Sequence, residues 1–221
     1  MKYDNKFGLI ELNIEHLNEE TIGVAMSGGA DSTLLCYLLA NTIREKGLNI
    51  KIQPFNGYDM WAPGDSNGLP EIIPYIRKRC PRVSIKWPLS TIFDTDGGKN
   101  GAKQDYIRPL VKQLEASGII DHTYHGTSLG PPEDVQKTFG GELFRIKGGK
   151  DFSKNQRVAD KNHTTPFIEI DKRFIVQEYK DQGIVDLLDM TTSCIGPETG
   201  CGNTCFWCKE REWAISEVFK A

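Results

Sequence analysis

One short segment, Ser27-Gly28-Gly29-Ala30-Asp31-Ser32-Thr33, constrains the fold more than any other part of the 221-residue chain. The apolar stretch Ile22–Met26 precedes it and predicts a strand, and an apolar helix is expected to begin near Ser32. Two adjacent glycines let the backbone turn tightly and approach an anion without interference from Cβ. The helix N-terminus then offers unpaired N–H groups and the positive end of its dipole. The segment therefore predicts a phosphate-binding turn between a strand and a helix.

The side chains of this segment suit the same purpose. Ser27, Ser32 and Thr33 add hydroxyl donors, and Asp31 can either cap the helix or hold a magnesium ion bound to the phosphates. The alternative is an ordinary strand-to-helix turn, which Gly-Gly and Asp-Ser also favour.

Strand and helix patterns alternate along most of the chain. A helical pattern of leucines after Ser32 ends at Gly47, and the alternating segment Ile50–Phe55 predicts the next strand. Asn56–Pro70 is rich in glycine, proline and polar residues and predicts a long loop. Further strands are expected at Val83–Trp87 and Ile119–His125.

Helices are expected at Glu71–Lys78 and around Tyr106–Leu114, between these strands. The alternation predicts an α/β fold, a Rossmann-like parallel sheet with helices on both faces, over residues 1–190. Ligands of such sheets bind at the carboxyl ends of the strands. The loops after Met26, Phe55 and His125 should therefore meet at one crevice. His122 and His125 lie three apart on one strand and should face opposite sides, with His125 at the ligand end.

Composition narrows the function classes. A net charge of −3 disfavours a broad nucleic-acid surface. The sequence contains no signal-peptide core and no apolar run long enough to span a membrane, so we expect a cytoplasmic protein that does not contact membranes. The segment Gly140–Thr165 is rich in bases and predicts a solvated loop, the alternative being a lid that closes on phosphates or an acidic substrate.

Four of the six cysteines fall close together near the C-terminus: Cys194, Cys201, Cys205 and Cys208. Clustered thiols in a reducing compartment indicate a metal site far more often than disulfides. Zinc fits this set best, and four thiolates would leave no open coordination position, so the ion would be structural. An iron–sulfur cluster and unmetallated or redox thiols are the alternatives. Residues 191–221 are thus expected to form a small zinc-binding helical element.

The order Ser-Gly-Gly-x-Asp-Ser after a strand resembles the PP-loop signature of the N-type ATP pyrophosphatases. It differs from the Gly-x4-Gly-Lys-Ser/Thr loop, because no lysine follows the glycines. The resemblance implies an enzyme that cleaves ATP between the α and β phosphates, with magnesium, to activate a substrate oxygen as an adenylate.

The C-terminal half is similar to the 7-cyano-7-deazaguanine synthases of queuosine-precursor biosynthesis. The matching features are Thr165-Pro166-Phe167, Lys172, Thr191-Thr192-Ser193-Cys194, the other three cysteines, and Arg211. The chain departs from that family in having three residues, Gly202-Asn203-Thr204, between the second and third cysteines, where two are usual. The family's Tyr-Gly-Gln after the second strand and its Asp-rich loop after the fourth are also replaced, the latter by Gly126–Asp134.

The resemblance implies an ATP-dependent ligase that joins ammonia to 7-carboxy-7-deazaguanine and forms the nitrile, releasing AMP and pyrophosphate. Asp31, Ser32 and Lys172 are the expected catalytic residues, with Lys172 offsetting phosphate charge unless it is only a solvated residue in a first helical turn. Glu133 and Asp134 are the expected substrate-binding residues, unless Pro131–Asp134 only begins a helix. The residues expected to bind ATP are Ser27, Gly28, Gly29, Ala30, Asp31, Ser32, Thr33, Phe55 and Gly126.

The partners implied are this small acid, or a similar carboxylate, and ammonia, and a homodimer is compatible with them. Two other functions stay open: a PP-loop enzyme acting on another acceptor, such as one that thiolates or modifies tRNA, and a zinc-stabilised nucleotide-binding module without catalysis.

Overall fold

The computed structural model describes residues 1–61, 68–96, 99–100, 103–140, 162–194 and 201–220. The basic segment noted above lies almost wholly outside these residues. The strands are β1 Lys2–Asn5, β2 Gly8–Glu11, β3 Thr21–Ala25, β4 Lys51–Asp59, β5 Ser84–Ile85, β6 Leu89–Phe93, β7 His122–Tyr124 and β8 His163–Thr164. The helices are α1 Ala30–Lys46, α2 Leu69–Arg79, α3 Lys103–Ala116, α4 Glu133–Phe139, α5 Lys172–Asp181, α6 Val185–Asp189 and α7 Phe206–Phe219, with a 3-10 turn at Glu15–Leu17.

The main sheet is parallel throughout the described residues, in the order β5-β4-β3-β7-β8. Strand β6 also pairs with β4, beyond the end of β5, so β5 and β6 flank β4 on successive stretches. Strand β3 lies at the centre, where Ile22 pairs with Ile52 on one side and His122 on the other. The expected Rossmann-like parallel sheet is confirmed.

Helices cover both faces of this sheet, and alternate residues of β3 point into the two hydrophobic cores on these faces. Ile22 and Val24 belong to the larger core, which also contains buried residues of α1, α2, α5 and α7. On the other face, Phe55 packs with Val111 and Leu114 of α3. A Cβ at Gly23 would lie 2.8 Å from Ile120 Cδ1 and 3.2 Å from Phe55 Cε1, so a side chain there would have to displace these two residues.

Helix α1 is the most deeply buried helix of the described chain, with thirteen buried residues from Ala30 to Ile43. It ends where predicted, at Gly47, whose φ of +61° suits a residue without Cβ. At the other end, Tyr179 of α5 donates a buried 2.8 Å hydrogen bond from its hydroxyl to Ala30 O. The start of the helix, and with it the preceding turn, is thereby fixed against α5.

One sequence expectation needs correction, and two elements were not predicted. The segment after Phe55 is not a loop at first, because β4 continues to Asp59 alongside β6. Strand β6 was missed, since the chain there lies at a sheet edge with Ile92 exposed and shows no regular alternation. The N-terminal hairpin of β1 and β2 was also missed. It covers α1 and α5 through Tyr3, whose hydroxyl donates to Leu38 O.

The C-terminal helix α7 carries Cys208 near its start and Ala214 and Val218 further along. Ala214 and Val218 are buried in the larger core, against which Trp213 also packs. The cysteine-rich element is therefore continuous with the main core. Among the described residues, no helix combines the length and apolar composition needed to cross a bilayer.

Candidate functional site

The turn between β3 and α1 forms a compact hydrogen-bonded loop. Gly28 has a φ of +78°, which favours glycine. Ser27 and Ser32 close the loop: Ser27 N donates to Ser32 Oγ at 3.1 Å, and Gly29 N donates to Ser27 Oγ at 3.2 Å. Gly29 is the residue that precedes the helix, and no side chain caps it. Asp31 is thus not the helix cap, and the helix start retains donors for an anion.

Asp31 instead faces a lysine from the far end of the sequence. Lys172 Nζ donates to Asp31 Oδ1 at 2.5 Å, and Ser128 Oγ donates to Asp31 Oδ2 at 2.9 Å. Glu210, which is fully buried, places Oε2 3.6 Å from the same Lys172 Nζ. The lysine is only 6% exposed. The interpretation of Lys172 as a solvated helix residue is therefore wrong, and the chain buries one ammonium between two carboxylates.

Lys172 is held there by a regular helix start. Asp171 caps α5, because its Oδ1 accepts from Arg173 N at 2.9 Å. Phe174 and Ile175, which follow, are completely buried. The cap and the buried side chains fix the first turn of α5, so the ammonium has a defined position beside the loop.

Two further segments meet the loop closely. A Cβ at Gly126 would lie 2.8 Å from both Ser32 Cα and Ser32 N, so only glycine allows this approach. Thr192 N donates to Gly28 O at 3.0 Å, which joins the segment before the first cysteine to the loop. Arg211 fixes that segment from α7, with Nη1 2.8 Å from Thr191 O and Nη2 2.7 Å from Leu188 O. Burial lowers the pKa of Arg211, but the guanidinium stays charged at any working pH.

These segments surround a cavity of about 510 Å³. Its walls come from β3 and the loop, β4, α3, the residues after β7, α5, the segment before Cys194, and α7. The lining residues are Ala25, Met26, Ser27, Gly29, Ala30, Asp31, Ser32, Phe55, Asn56, Gly57, Lys103, Gln104, Ile107, His125, Gly126, Thr127, Lys172, Thr192, Ser193, Trp207 and Glu210.

Most of the residues predicted for nucleotide binding lie together at this cavity. Ser27, Gly29, Ala30, Asp31, Ser32, Phe55 and Gly126 line it, as does Lys172. Gly28 and Thr33 belong to the loop and the first turn of α1 without lining it. Thr33 is completely buried, and its Oγ1 has no hydrogen-bond partner within the described structure.

Glu133 and Asp134 are not brought to the cavity. Both are exposed in the first turn of α4, and Glu133 Oε1 lies 2.8 Å from Lys137 Nζ. The segment Pro131–Asp134 begins a helix whose dipole favours acids at this end. The placement fits this simpler interpretation of the two carboxylates.

Several lining residues escaped the sequence analysis. Lys103, Gln104 and Ile107 come from α3, and Trp207 and Glu210 come from the first turns of α7. The sequence does indicate Trp207 and Glu210, because Trp207 lies between Cys205 and Cys208 and Glu210 follows shortly after Cys208. For the α3 residues no motif was available, because only the packing of α3 against β4 and β6 brings them to the cavity.

The four cysteines of the C-terminal element converge. Their sulfur atoms all lie within 4.8 Å of one another, and Cys201 Sγ is 3.6 Å from Cys208 Sγ. Cys205 N donates to Cys201 Sγ, which is the main reason that the pKa of Cys201 falls to about 6. Burial raises the pKa of the Cys208 thiol. Ser193 precedes Cys194 and Trp207 lies between Cys205 and Cys208, and both line the cavity, so the cysteine cluster borders the same cavity as the turn before α1.

The spacing of the sulfurs tests which metal group the site can hold. A tetrahedral ion with metal–sulfur bonds of about 2.3 Å places its sulfurs about 3.8 Å apart. A four-iron cluster, in which each ligand sulfur binds a different iron, separates them by about 6 Å. All four sulfurs lie closer together than a four-iron cluster would hold them, and the Cys201–Cys208 sulfur distance of 3.6 Å is close to the tetrahedral value. For magnesium, the oxygen donors present are Asp31 and the serine hydroxyls of the loop, which suit an ion that also binds phosphate and water.

Comparison with family profiles and with curated proteins gives no match. Among solved structures, the chain is similar to the U34-tRNA thiolase NcsA from Methanococcus maripaludis with its 4Fe–4S cluster. The TM-score is 0.52 at 14% identity, over 95% of this chain and 70% of that one. The NAD+ synthetase from Burkholderia pseudomallei matches at 14% identity over 91% of this chain and 78% of that chain. Its TM-score of 0.38 does not establish a common fold.

At this level of identity the likeness to NcsA concerns the fold. The parallel sheet and its flanking helices define a Rossmann-like α/β protein, with the Ser-Gly-Gly-Ala-Asp-Ser turn at the carboxyl end of β3.

Proposed function

We propose that this protein is an ATP-dependent ligase that adenylates a carboxylate and transfers the acyl group to ammonia, releasing AMP and pyrophosphate. The observation that carries the proposal is the cavity beside the PP-loop, where a buried ammonium and a helix N-terminus face the same space. Both features stabilise negative charge, which adenylation chemistry concentrates on the phosphates.

Each residue has a physical role in this proposal. The N–H groups at the start of α1 and the hydroxyls of Ser27 and Ser32 bind phosphate oxygens. Asp31 holds a magnesium ion bound to the phosphates, and Lys172 offsets charge at the bond that breaks. AMP is a good leaving group once the adenylate has formed. The site therefore has mainly to position the reactants and neutralise their charge.

The proposed acid is 7-carboxy-7-deazaguanine, and the proposed product is its nitrile, 7-cyano-7-deazaguanine, formed by a second activation of the amide. Support comes from the resemblance in the C-terminal half, where Thr165-Pro166-Phe167, Lys172 and the cysteine-rich element occur in the family's order. The space between the β4 residues Asn56 and Gly57 and the α3 residue Gln104 is proposed for the deazapurine. The partners would then be this small acid and ammonia, and the protein would act in the cytoplasm. A homodimer is compatible with this assignment.

We also propose that the cysteine site holds zinc. The support is the sulfur spacing, which suits one tetrahedral ion, and the four-thiolate donor set, which leaves no open position for chemistry. The ion would join Cys194, which follows the cavity residue Ser193, to Cys208 of α7 and thus stabilise one wall of the cavity.

The test is incubation of the protein with ATP, magnesium, ammonium and 7-carboxy-7-deazaguanine, followed by mass spectrometry of the products. We expect AMP, pyrophosphate and the nitrile. Asp31→Ala should abolish turnover, while Glu45→Ala, an exposed position in the last turn of α1, should not. ADP as the main nucleotide product would refute the adenylation chemistry.

A substrate titration tests the carboxylates that the resemblance suggests. If Asp134 reads the deazapurine, Asp134→Ala should weaken binding of the acid about tenfold to a hundredfold while sparing ATP affinity, because two donors would lose a charged acceptor. Unchanged affinity would agree with the exposed position of Asp134 at the start of α4, outside the cavity.

A second candidate is thiolation of RNA. The observation that favours it is the position of the four cysteines on the border of the cavity, through Ser193 and Trp207. The same incubation distinguishes the two: protein with visible absorbance, bound iron and no turnover of the small acid would support this candidate.

A further inference from the structure

The residue that follows β7, His125, is half-buried at the ligand end of the sheet and lines the cavity. Its backbone N–H donates to Thr164 O of β8 at 2.9 Å, so its position is fixed by the sheet. Its neighbour Gly126 makes the close approach to the phosphate-binding turn. An imidazole at this place is within the site and held by the central sheet.

A line of hydrogen-bonded side chains connects His125 to the surface. His125 Nε2 lies 3.3 Å from His163 Nδ1, and His163 Nε2 lies 3.0 Å from Glu115 Oε1. The two imidazole planes are within 8° of parallel, with ring centroids 5.6 Å apart, as an edge-to-edge contact between ring nitrogens requires. Thr123 Oγ1 donates to the same Glu115 oxygen at 3.1 Å, which holds the carboxylate in place.

Exposure rises along this line. The side chain of His163 is 16% exposed and that of Glu115, in the last turn of α3, is 27% exposed. One end of the line is therefore in the cavity and the other end reaches water.

The carboxylate determines where the protons sit. Glu115 can only accept while it is ionised, so His163 donates from Nε2, and its Nδ1 is the acceptor in the neutral ring. Nδ1 then accepts from His125 Nε2–H, which leaves Nδ1 of His125 as the basic nitrogen. A proton that arrives at His125 Nδ1 can leave from Nε2 to His163, and from His163 Nε2 to Glu115.

The surroundings of His125 disfavour its protonated form. Burial is the main reason that the pKa of His125 falls to about 4, and the neighbouring His163 lowers it further. The other charged groups that line the cavity are Asp31, Lys103, Lys172 and Glu210. Since a proton on His125 would be unstable near neutral pH, the ring can serve as a base only if the proton moves on. The line to Glu115 provides that path.

We propose that His125, His163 and Glu115 form a proton relay that carries protons from the attacking nucleophile in the cavity to solvent. The inference rests on the proposed function. When ammonium reacts with an acyl adenylate, the C–N bond forms, the C–O bond to AMP breaks, and the nitrogen gives up two protons as it becomes an amide. Formation of the adenylate itself releases no proton from nitrogen, so the relay serves the second half of the reaction.

The test separates the two halves with His125→Gln and Glu115→Gln, using 7-carboxy-7-deazaguanine as the acid. Exchange of pyrophosphate into ATP reports adenylation, and amide formation reports attack by ammonia. His125→Gln should keep exchange within about threefold and slow amide formation by about a hundredfold to ten-thousandfold, as expected for loss of a general base. Hydroxylamine, which is largely unprotonated at neutral pH, gives up one proton where ammonium gives up two, so its conversion to hydroxamate should be slowed much less.

His122→Gln is the matched control, because His122 begins the strand that His125 follows, forms a 2.8 Å hydrogen bond with Thr164 Oγ1 and does not line the cavity. It should leave both half-reactions unchanged. Glu115→Gln should reproduce the ammonia-specific defect more weakly, since His125 itself remains. A purely structural role for His125 would lower exchange and both nucleophile reactions together.

The relay is overturned if His125→Gln forms amide from ammonia at the parent rate while exchange is intact. If the parent shows no exchange, the proposed function fails instead, and nitrogen NMR of the imidazoles still tests the relay. We expect both histidines to carry the proton on Nε2 near neutral pH, and Glu115→Gln to redistribute the tautomers of His163. Unchanged tautomers in that variant would also overturn the relay.

Discussion

Replacing Lys172 with methionine should destabilise the fold strongly. The lysine side chain is 8% exposed and lies between Asp31, 14% exposed, and Glu210, which has no exposure. Methionine fills similar space but leaves two buried carboxylates without their cation. Removal of one partner from a buried ion pair costs about 3–5 kcal/mol. Because Ser128 still donates to Asp31, the lower end, about 3 kcal/mol, is expected.

For a chain of this size, about 3 kcal/mol corresponds to a fall in the melting temperature of about 6–12 °C. Urea unfolding followed by far-ultraviolet circular dichroism gives the free energy of unfolding directly. Lys180→Met, at an exposed position of the same helix, is the control and should change stability by less than about 0.5 kcal/mol.

A double variant tests the cause. Asp31→Asn combined with Lys172→Met removes one of the unpaired charges, so it should be more stable than the Lys172→Met protein, with a coupling energy of about 1–3 kcal/mol. Two results would refute the idea that the ammonium offsets the cost of burying the two carboxylates. One is a loss of less than about 1 kcal/mol in the free energy of unfolding for Lys172→Met, and the other is strict additivity in the double variant.

Three further outcomes are expected. Elemental analysis should find about one zinc per chain, and Cys205→Ser should lower the melting temperature, because the binding free energy of such a site contributes to folding; bound iron would contradict this. The pKa of His125, about 4 against 6.5 in the unfolded chain, means that the unfolded state binds more protons below pH 6.5. Stability should therefore fall by up to about 3 kcal/mol between pH 6.5 and 4. His122, whose pKa is also lowered, should add to the loss. His125→Gln should reduce this acid sensitivity, which urea unfolding at several pH values measures. Finally, Gly126→Ala places a Cβ 2.8 Å from backbone atoms of Ser32 and should cost about 1–3 kcal/mol in stability and weaken ATP binding in calorimetry; unchanged affinity would show that the turn adapts.

Features that depend only on neighbouring residues could be predicted from the sequence. Gly28 and Gly29 after an apolar strand specify the turn, because only local backbone freedom and the start of a helix are needed. The same holds for the end of α1 at Gly47 and for the four cysteines, which are close in sequence and therefore meet easily. The alternation of strands and helices likewise determined the parallel sheet, since each segment's period is a local property.

The tertiary structure decided which distant residues share the site. Lys172 meets Asp31 across 141 positions of sequence, and His125 meets His163 across 38. No local pattern encodes such a meeting, because it depends on how α5 and β8 pack against elements formed far earlier in the chain. The same packing left Glu133 and Asp134 exposed at a helix start, although their sequence position had indicated a substrate role. Propensity and spacing act over a few residues, whereas burial, which encloses the ion pair of Lys172 with Asp31 and lowers the pKa of His125, is a property of the whole fold.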